Sequence, residues 1–150
     1  MRRVKVGDAI CSDEARRLLE TTSGVLDLAI DLMGKRSRWS DVATEMATYV
    51  RDRGFSVVEN FVGHGIGRKM HEDPQIPNFG RAKEGPKLKP GMTLAIEPMA
   101  NGGTYEVQVL SDGWTVVSAD GQPSAHFEHT VLITETEAEI LTWPKKKQLK

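Results

Sequence analysis

Several features are missing from this sequence, and each absence narrows what it can be. Only one cysteine is present, Cys11, among 150 residues. A disulfide framework and a cysteine-rich zinc site are therefore both excluded, and a reducing compartment is the natural reading. The formal net charge is −1, so no overall field recruits nucleic acid or a membrane surface. No apolar run is long enough to span a bilayer. The opening MRRVKVGDAI is basic but lacks the apolar stretch of a secretory signal. Cytoplasm is the default expectation. There is no internal repeat. What remains is 39% hydrophobic and 27% charged, the balance of a water-soluble globular protein, long enough for one domain with a core. Residues 1–150 are expected to form that single domain. The lysine-rich end over 143–150, with Lys145, Lys146, Lys147 and Lys150, reads as a solvated tail.

The pattern divides the chain near Phe55. Before it, a short strand is expected at Val4–Val6. Ser12 then caps a helix whose first turn holds Asp13 and Glu14, which suit the positive end of a helix dipole. Ala15, Leu18, Leu19, Val25, Leu26, Ala29, Leu32 and Met33 recur mostly at helical spacing, with Thr22 and Gly24 as weak points and Gly34 as the stop. A second helix is expected from Ser40 to Gly54, with Val42, Met46, Tyr49 and Val50 on its apolar stripe. After Phe55 short β-like runs take over: 55–59, 93–97, 105–110, 115–117, 126–134 and 140–142. Residues 78–90 read as a loop. Helices first and strands afterwards predict an α+β domain, with the two helices on one face of a largely antiparallel sheet.

The stretch FVGHGIGRKMHEDP, residues 61–74, carries His64 and His71, with glycines at 63, 65 and 67. Glycine permits close backbone approach, which leaves the His64 imidazole standing out of a bare backbone. That suits a side chain reaching a metal ion or a substrate. Three plainer readings compete. A phosphate-binding glycine loop needs G-x-G-x-x-G and a following helix, but Pro74 breaks any helix soon after. A zinc-protease HExxH needs a second histidine that never comes after His71-Glu72. The third is a turn with two structural histidines.

Two glutamates sit inside apolar runs. Glu97 ends LAIE, where Leu94 and Ile96 share one face and Ala95 and Glu97 the other. Glu128 lies in SAHFEHTVLI, where alternation groups it with His126 and Thr130, opposite Phe127, His129 and Val131. A carboxylate in a central strand is costly unless it is paired or bound to a cation. Either could instead reach the surface or pair with a histidine. Taken together, His64, Glu97 and Glu128 supply one nitrogen and two carboxylates, a set suited to Mn, Fe, Co or Zn.

At these residues the chain resembles a known family. VGHGIGRKMHEDPQIPN, LKPGMTLAIEPM, DGWTVVSADGQPSAHFEHT and EILT are similar, in order, to type I methionine aminopeptidases, from about Glu20 to Thr142. Prolidases share the glycine-flanked histidine and the glutamates. The resemblance implies the C-terminal half of a pita-bread, M24-like fold, in which a largely antiparallel curved sheet packs against the helices. It implies a metal-dependent hydrolase removing N-terminal Met from nascent chains, at a site of two cations held by two aspartates, one histidine and two glutamates. By position, His64, Glu97 and Glu128 match the metal ligands. His71 matches the histidine that contacts the scissile peptide, and Trp114 a wall of the methionine side-chain pocket.

The family's two aspartates have no match; Asp8, Asp13, Asp27 and Asp31 do not fit their motif. The expectation is therefore at most one weakly held divalent ion and no activity without the family's N-terminal half. Partners would be that half, N-terminal Met peptides, or a second copy. The alternative is a non-catalytic remnant that binds a peptide or a partner.

Overall fold

The computed structural model describes residues 11–143. The expected strand at Val4–Val6 and the lysines of the tail lie outside them.

Helix α1 runs Asp13–Met33, and Ser12 caps it by accepting the Ala15 N–H at 3.1 Å. Its buried face includes Leu18, Val25, Leu26, Ala29, Leu32 and Met33. Leu19, expected on that stripe, is 45% exposed, because it lies next to Leu18 and so about a quarter-turn round the helix. Thr22 does not interrupt the helix, since its hydroxyl donates to the Leu18 carbonyl at 2.7 Å. Gly24 makes room for the second helix: a Cβ there would stand 2.5 Å from the Tyr49 hydroxyl.

Helix α2 runs Trp39–Arg51, one residue ahead of the expected start, and Arg38 precedes it without a side-chain cap. Ser40 is no cap. It lies inside the helix, buried, with its hydroxyl unpaired. Trp39 explains the shift. It is 1% exposed, and its indole N–H donates to the Pro77 carbonyl at 2.6 Å. Burying that ring fixes where the helix begins.

Among the described residues ten strands follow: β1 Ser56–Val57, β2 Gly63–Gly65, β3 Glu72–Ile76, β4 Thr93–Ile96, β5 Met99–Asn101, β6 Val107–Val109, β7 Val116–Ser118, β8 Ser124–His126, β9 His129–Ile133 and β10 Ala138–Ile140. They pair antiparallel in three sheets rather than one, with orders β1-β5-β8, β10-β9-β4-β2-β3 and β6-β7. The expected continuous strand over 126–134 is two strands. β8 pairs with β5, whereas β9 lies between β10 and β4. In the same way β4 stops at Ile96, and the chain enters the other sheet at Met99.

These two interruptions lie opposite each other. Ile96 pairs with His129 on one side, and Met99 with His126 on the other. Residues 97–98 and 127–128 therefore face each other across a seam between the sheets, bridged by the Phe127 N–H donating to the Pro98 carbonyl at 3.4 Å. The simple alternation expected through Glu128 ends at this seam.

α1 contacts strands of both larger sheets, β5 and β8 in one, β9 and β10 in the other. The core joins Leu18, Val25, Trp39, Val42 and Met46 to Ile76, Leu94, Ile96 and Val131. Leu94, Ala95 and Ile96 are all buried, so β4 is covered on both faces, unlike a strand with one wet side.

Candidate metal centre

The glycine-flanked stretch around His64 forms the β2–β3 hairpin at one side of the five-stranded sheet. β2 is an inner strand, between β3 and β4. A Cβ on Gly63 would run into the Ala95 carbonyl, and one on Gly65 into the Asp73 carbonyl. Close approach of neighbouring backbones thus requires glycine on both sides of His64.

The imidazole is held from behind. Its Nδ1 lies 2.8 Å from the Gly65 carbonyl oxygen. A carbonyl only accepts, so Nδ1 carries a proton and donates. A neutral ring then presents its Nε2 lone pair outward, which is how metal-ligating histidines are commonly oriented. Nε2 stands 3.4 Å from Glu97 Oε1. With the ring neutral, both atoms are acceptors, and the arrangement calls for positive charge between them: a proton on Nε2 or a cation. Two donors each about 2.1 Å from one ion, at a tetrahedral angle, stand about 3.4 Å apart. The His64–Glu97 pair therefore fits two positions around a divalent cation.

Glu97 gathers the rest of the site. Its second oxygen is 3.7 Å from His126 Nε2. Burial pushes its carboxyl above the ordinary value, and the charge of Glu128 pushes the same way; His64 and His126 pull it partly back. Glu128 is thus close enough for its charge to be felt, but it is itself exposed. It stands at the seam rather than in the middle of a buried strand, because the strand through it is broken. Among the described residues no group of three His, Cys, Asp or Glu is already set to hold a metal. The pair is in place, while the third expected ligand stands near it without completing a set.

His71 lies beside the pair, its ring centroid 4.3 Å from that of His64. Both line a cleft of about 550 Å³ with Val62, Lys69, Glu72, Asp73 and Gln75. Trp114 stands apart from this cleft. It sits in the turn between β6 and β7, 88% exposed. Asp112 orders that turn by accepting from the Thr115 hydroxyl at 2.6 Å and from the Trp114 and Thr115 N–H groups.

Two further residues lie close to Glu97, His126 at its carboxylate and Asn78 at its carbonyl. In the sequence His126 shares a face with Glu128, and its i, i−2 spacing from that candidate ligand is the signal that points to it. Asn78 fell in an expected loop, and nothing in its neighbours marked it.

The sequence pattern of metallopeptidase family M24 matches residues 2–135. The chain belongs to that family. It is 54% identical over 131 residues to a methionine aminopeptidase of Clostridium perfringens, covering 87% of this chain and 53% of that one. It is 50% identical over the same length to methionine aminopeptidase 1 of Bacillus subtilis, again with 87% and 53% covered. The solved structure of the Thermotoga maritima methionine aminopeptidase superposes with a TM-score of 0.86 at 48% identity, covering 89% of this chain and 53% of that chain. A prolidase from Pyrococcus furiosus, 21% identical with a TM-score of 0.64, shares the fold. This M24 chain spans about half the length of the curated relatives it matches. Its two helices and antiparallel sheets are half of the family's pita-bread fold. Among the described residues no helix is long and apolar enough to cross a membrane.

Proposed function

We propose that this chain carries one side of a methionine aminopeptidase centre, the side belonging to the C-terminal half of the fold. The observation that supports this most directly is the His64 Nε2–Glu97 Oε1 separation of 3.4 Å, in a member of a metallopeptidase family. His64, Glu97 and Glu128 would hold a divalent cation of the Mn, Fe, Co or Zn group, Glu128 closing on it by side-chain rotation from its exposed position. When bound, the cation supplies Lewis acidity and acidifies water for attack on a peptide carbonyl.

The chain's own groups have separate tasks. The Gly65 carbonyl fixes the His64 tautomer, and the two carboxylates offset the charge of a cation. On this reading His71, beside His64 in the cleft, would donate a hydrogen bond to the scissile carbonyl and favour the tetrahedral state over the planar one. An N-terminal Met peptide is the substrate on this reading, and Trp114 would wall the methionine side chain only where another surface covers it. Three ligands of five do not make the full two-cation centre, and groups that act as a unit do not retain a proportional share of the rate when some are missing.

The test is release of Met from a Met-Ala-Ser peptide with added Mn or Co, beside His64→Ala. The purified 150-residue chain should release none. Adding the N-terminal half of a matching relative should restore release, and only with His64 intact. Turnover by the chain alone that vanishes in His64→Ala would show that three ligands suffice. Restored turnover that survives His64→Ala would remove His64 from the centre.

A further inference from the structure

We infer that Asn78 is a positioning residue for Glu97: its side-chain amide holds the Glu97 carbonyl at the seam, so that the carboxylate faces His64 and His126. This rests on the centre proposed above. Glu97 lies between β4 and β5, beyond the last ladder position of either, where a peptide unit is free to turn. Asn78 Nδ2 donates to its carbonyl oxygen at 3.2 Å.

Asn78 is itself firmly placed. Two positions before it Ile76 ends β3, paired with Gly63. Between them the Pro77 carbonyl accepts from the Trp39 indole N–H at 2.6 Å. A line of contacts therefore runs from the buried start of α2, through Pro77 and Asn78, to the backbone of Glu97.

The chemistry of Asn78 argues against a purely architectural role. It is 1% exposed, and its Oδ1 has no hydrogen-bond partner. An unpaired buried acceptor opposes folding, so, the bond to Glu97 aside, an apolar side chain of similar size would fill the core as well or better. What only the amide supplies is the N–H for Glu97. Asn101 offers a matched control. It is 0% exposed, its Oδ1 is also unpaired, and its Nδ2 donates at 2.9 Å to Thr104, not to Glu97.

The experiment compares the wild-type chain with Asn78→Leu, Asn101→Leu and His64→Ala by three readouts: thermal midpoint, Mn²⁺ affinity by calorimetry, and the imidazole nitrogen resonances of His64 and His126 in metal-free protein. Asn78→Leu should move the midpoint little, because it removes one unpaired acceptor and leaves another at the Glu97 carbonyl, and it should weaken Mn²⁺ about tenfold or more, the usual scale for losing a group that orients a ligand. It should also move both imidazole resonances. Asn101→Leu should leave affinity and resonances as in wild type. Unmoved resonances in Asn78→Leu, or equal movement in Asn101→Leu, would overturn the inference. If Asn78→Leu does not fold, Asn78→Ala carries the same comparison. Equal Mn²⁺ affinity in wild type and His64→Ala would overturn the centre itself; the metal-free resonances would still decide whether Asn78 sets Glu97.

Discussion

Along α2, Trp39, Val42, Met46 and Val50 are each 2% exposed or less, and no charge lies among them. At the seam, Glu97 stands against His64 and His126 within 3.7 Å, with Glu128 raising its proton affinity. The first region gains stability from apolar area removed from water, and any loss of volume there is felt as a cavity. The second holds Glu97, whose carboxylate loses hydration there and whose proton affinity is raised further by Glu128. The contrast teaches that stability and proposed function are housed apart, joined through the Trp39–Pro77–Asn78 contacts, so most substitutions should move one and spare the other.

The sharpest way to break that separation is in the helix. Met46→Ala should cost about 2–5 kcal/mol in urea unfolding, the range for emptying a buried site. Mn²⁺ affinity of the molecules that remain folded should be unchanged; a loss of both would show that the regions are coupled. Next in size, Gly65→Ala drives a methyl into the Asp73 carbonyl and should cost about 1–3 kcal/mol, as overpacking does. Because it also flanks His64, it should weaken cation binding too, making it the one substitution of the series that crosses the divide.

Glu97→Gln should do the reverse of Met46→Ala: Mn²⁺ binding lost, thermal midpoint kept or raised, since a desolvated carboxylate and its repulsion from Glu128 both go. The pH dependence follows in sign. A carboxyl whose folded-state value is raised binds a proton more readily in the folded protein than in the unfolded one. Its contribution is greatest below the unfolded value, near 4.5, and declines as pH rises through the raised folded value. The difference between the wild-type and Glu97→Gln stability curves should show that fall, and a difference that rises with pH would reverse the assignment.

The smallest effect lies in the β6–β7 turn. Hydrogen bonds from the Thr115 hydroxyl and from the Trp114 and Thr115 N–H groups hold the Asp112 carboxyl below its ordinary range. Those bonds favour the turn above the unfolded value and weaken as pH falls through the lowered one. A proton titration of Asp112 should place its midpoint below that of a free aspartate, while Asp112→Asn leaves the global midpoint nearly in place.

The helices were readable because their signals are local. Ser12 with Asp13 and Glu14 started α1 where expected, and the apolar spacing continued through Thr22 and Gly24. The start of α2 moved because Trp39 is buried under Pro77, 38 positions away in the chain, which no local capping rule anticipates. β2, β3 and β5 were not expected as strands: β2 and β5 are three residues each, and β2 and β3 carry Gly or Pro, residues that weigh against strand assignment. The seam was invisible for a related reason. LAIEPMA and HFEHTV look continuous in sequence, and only the pairing of each run with two different sheets divides them. Of the residues singled out in the sequence, His64, Glu97 and His71 lie close together, whereas Glu128 is exposed at the seam and Trp114 stands apart in the β6–β7 turn. Asn78 could not have been picked out, since its role depends on a backbone carbonyl and carries no trace in residue type.

The three tryptophans give this architecture an optical consequence. Trp39 is sealed in the core with its indole N–H on a carbonyl, while Trp114 and Trp143 are 88% and 64% exposed. Ultraviolet excitation of the native chain therefore produces two overlapping emissions, a blue one from Trp39 and a red one dominated by solvent relaxation around the other two. Replacing Trp114 and Trp143 by Phe would leave a single fluorophore whose indole touches the residue next to Asn78. Its emission would then follow, in real time and without any added label, whether the link from helix to seam is closed.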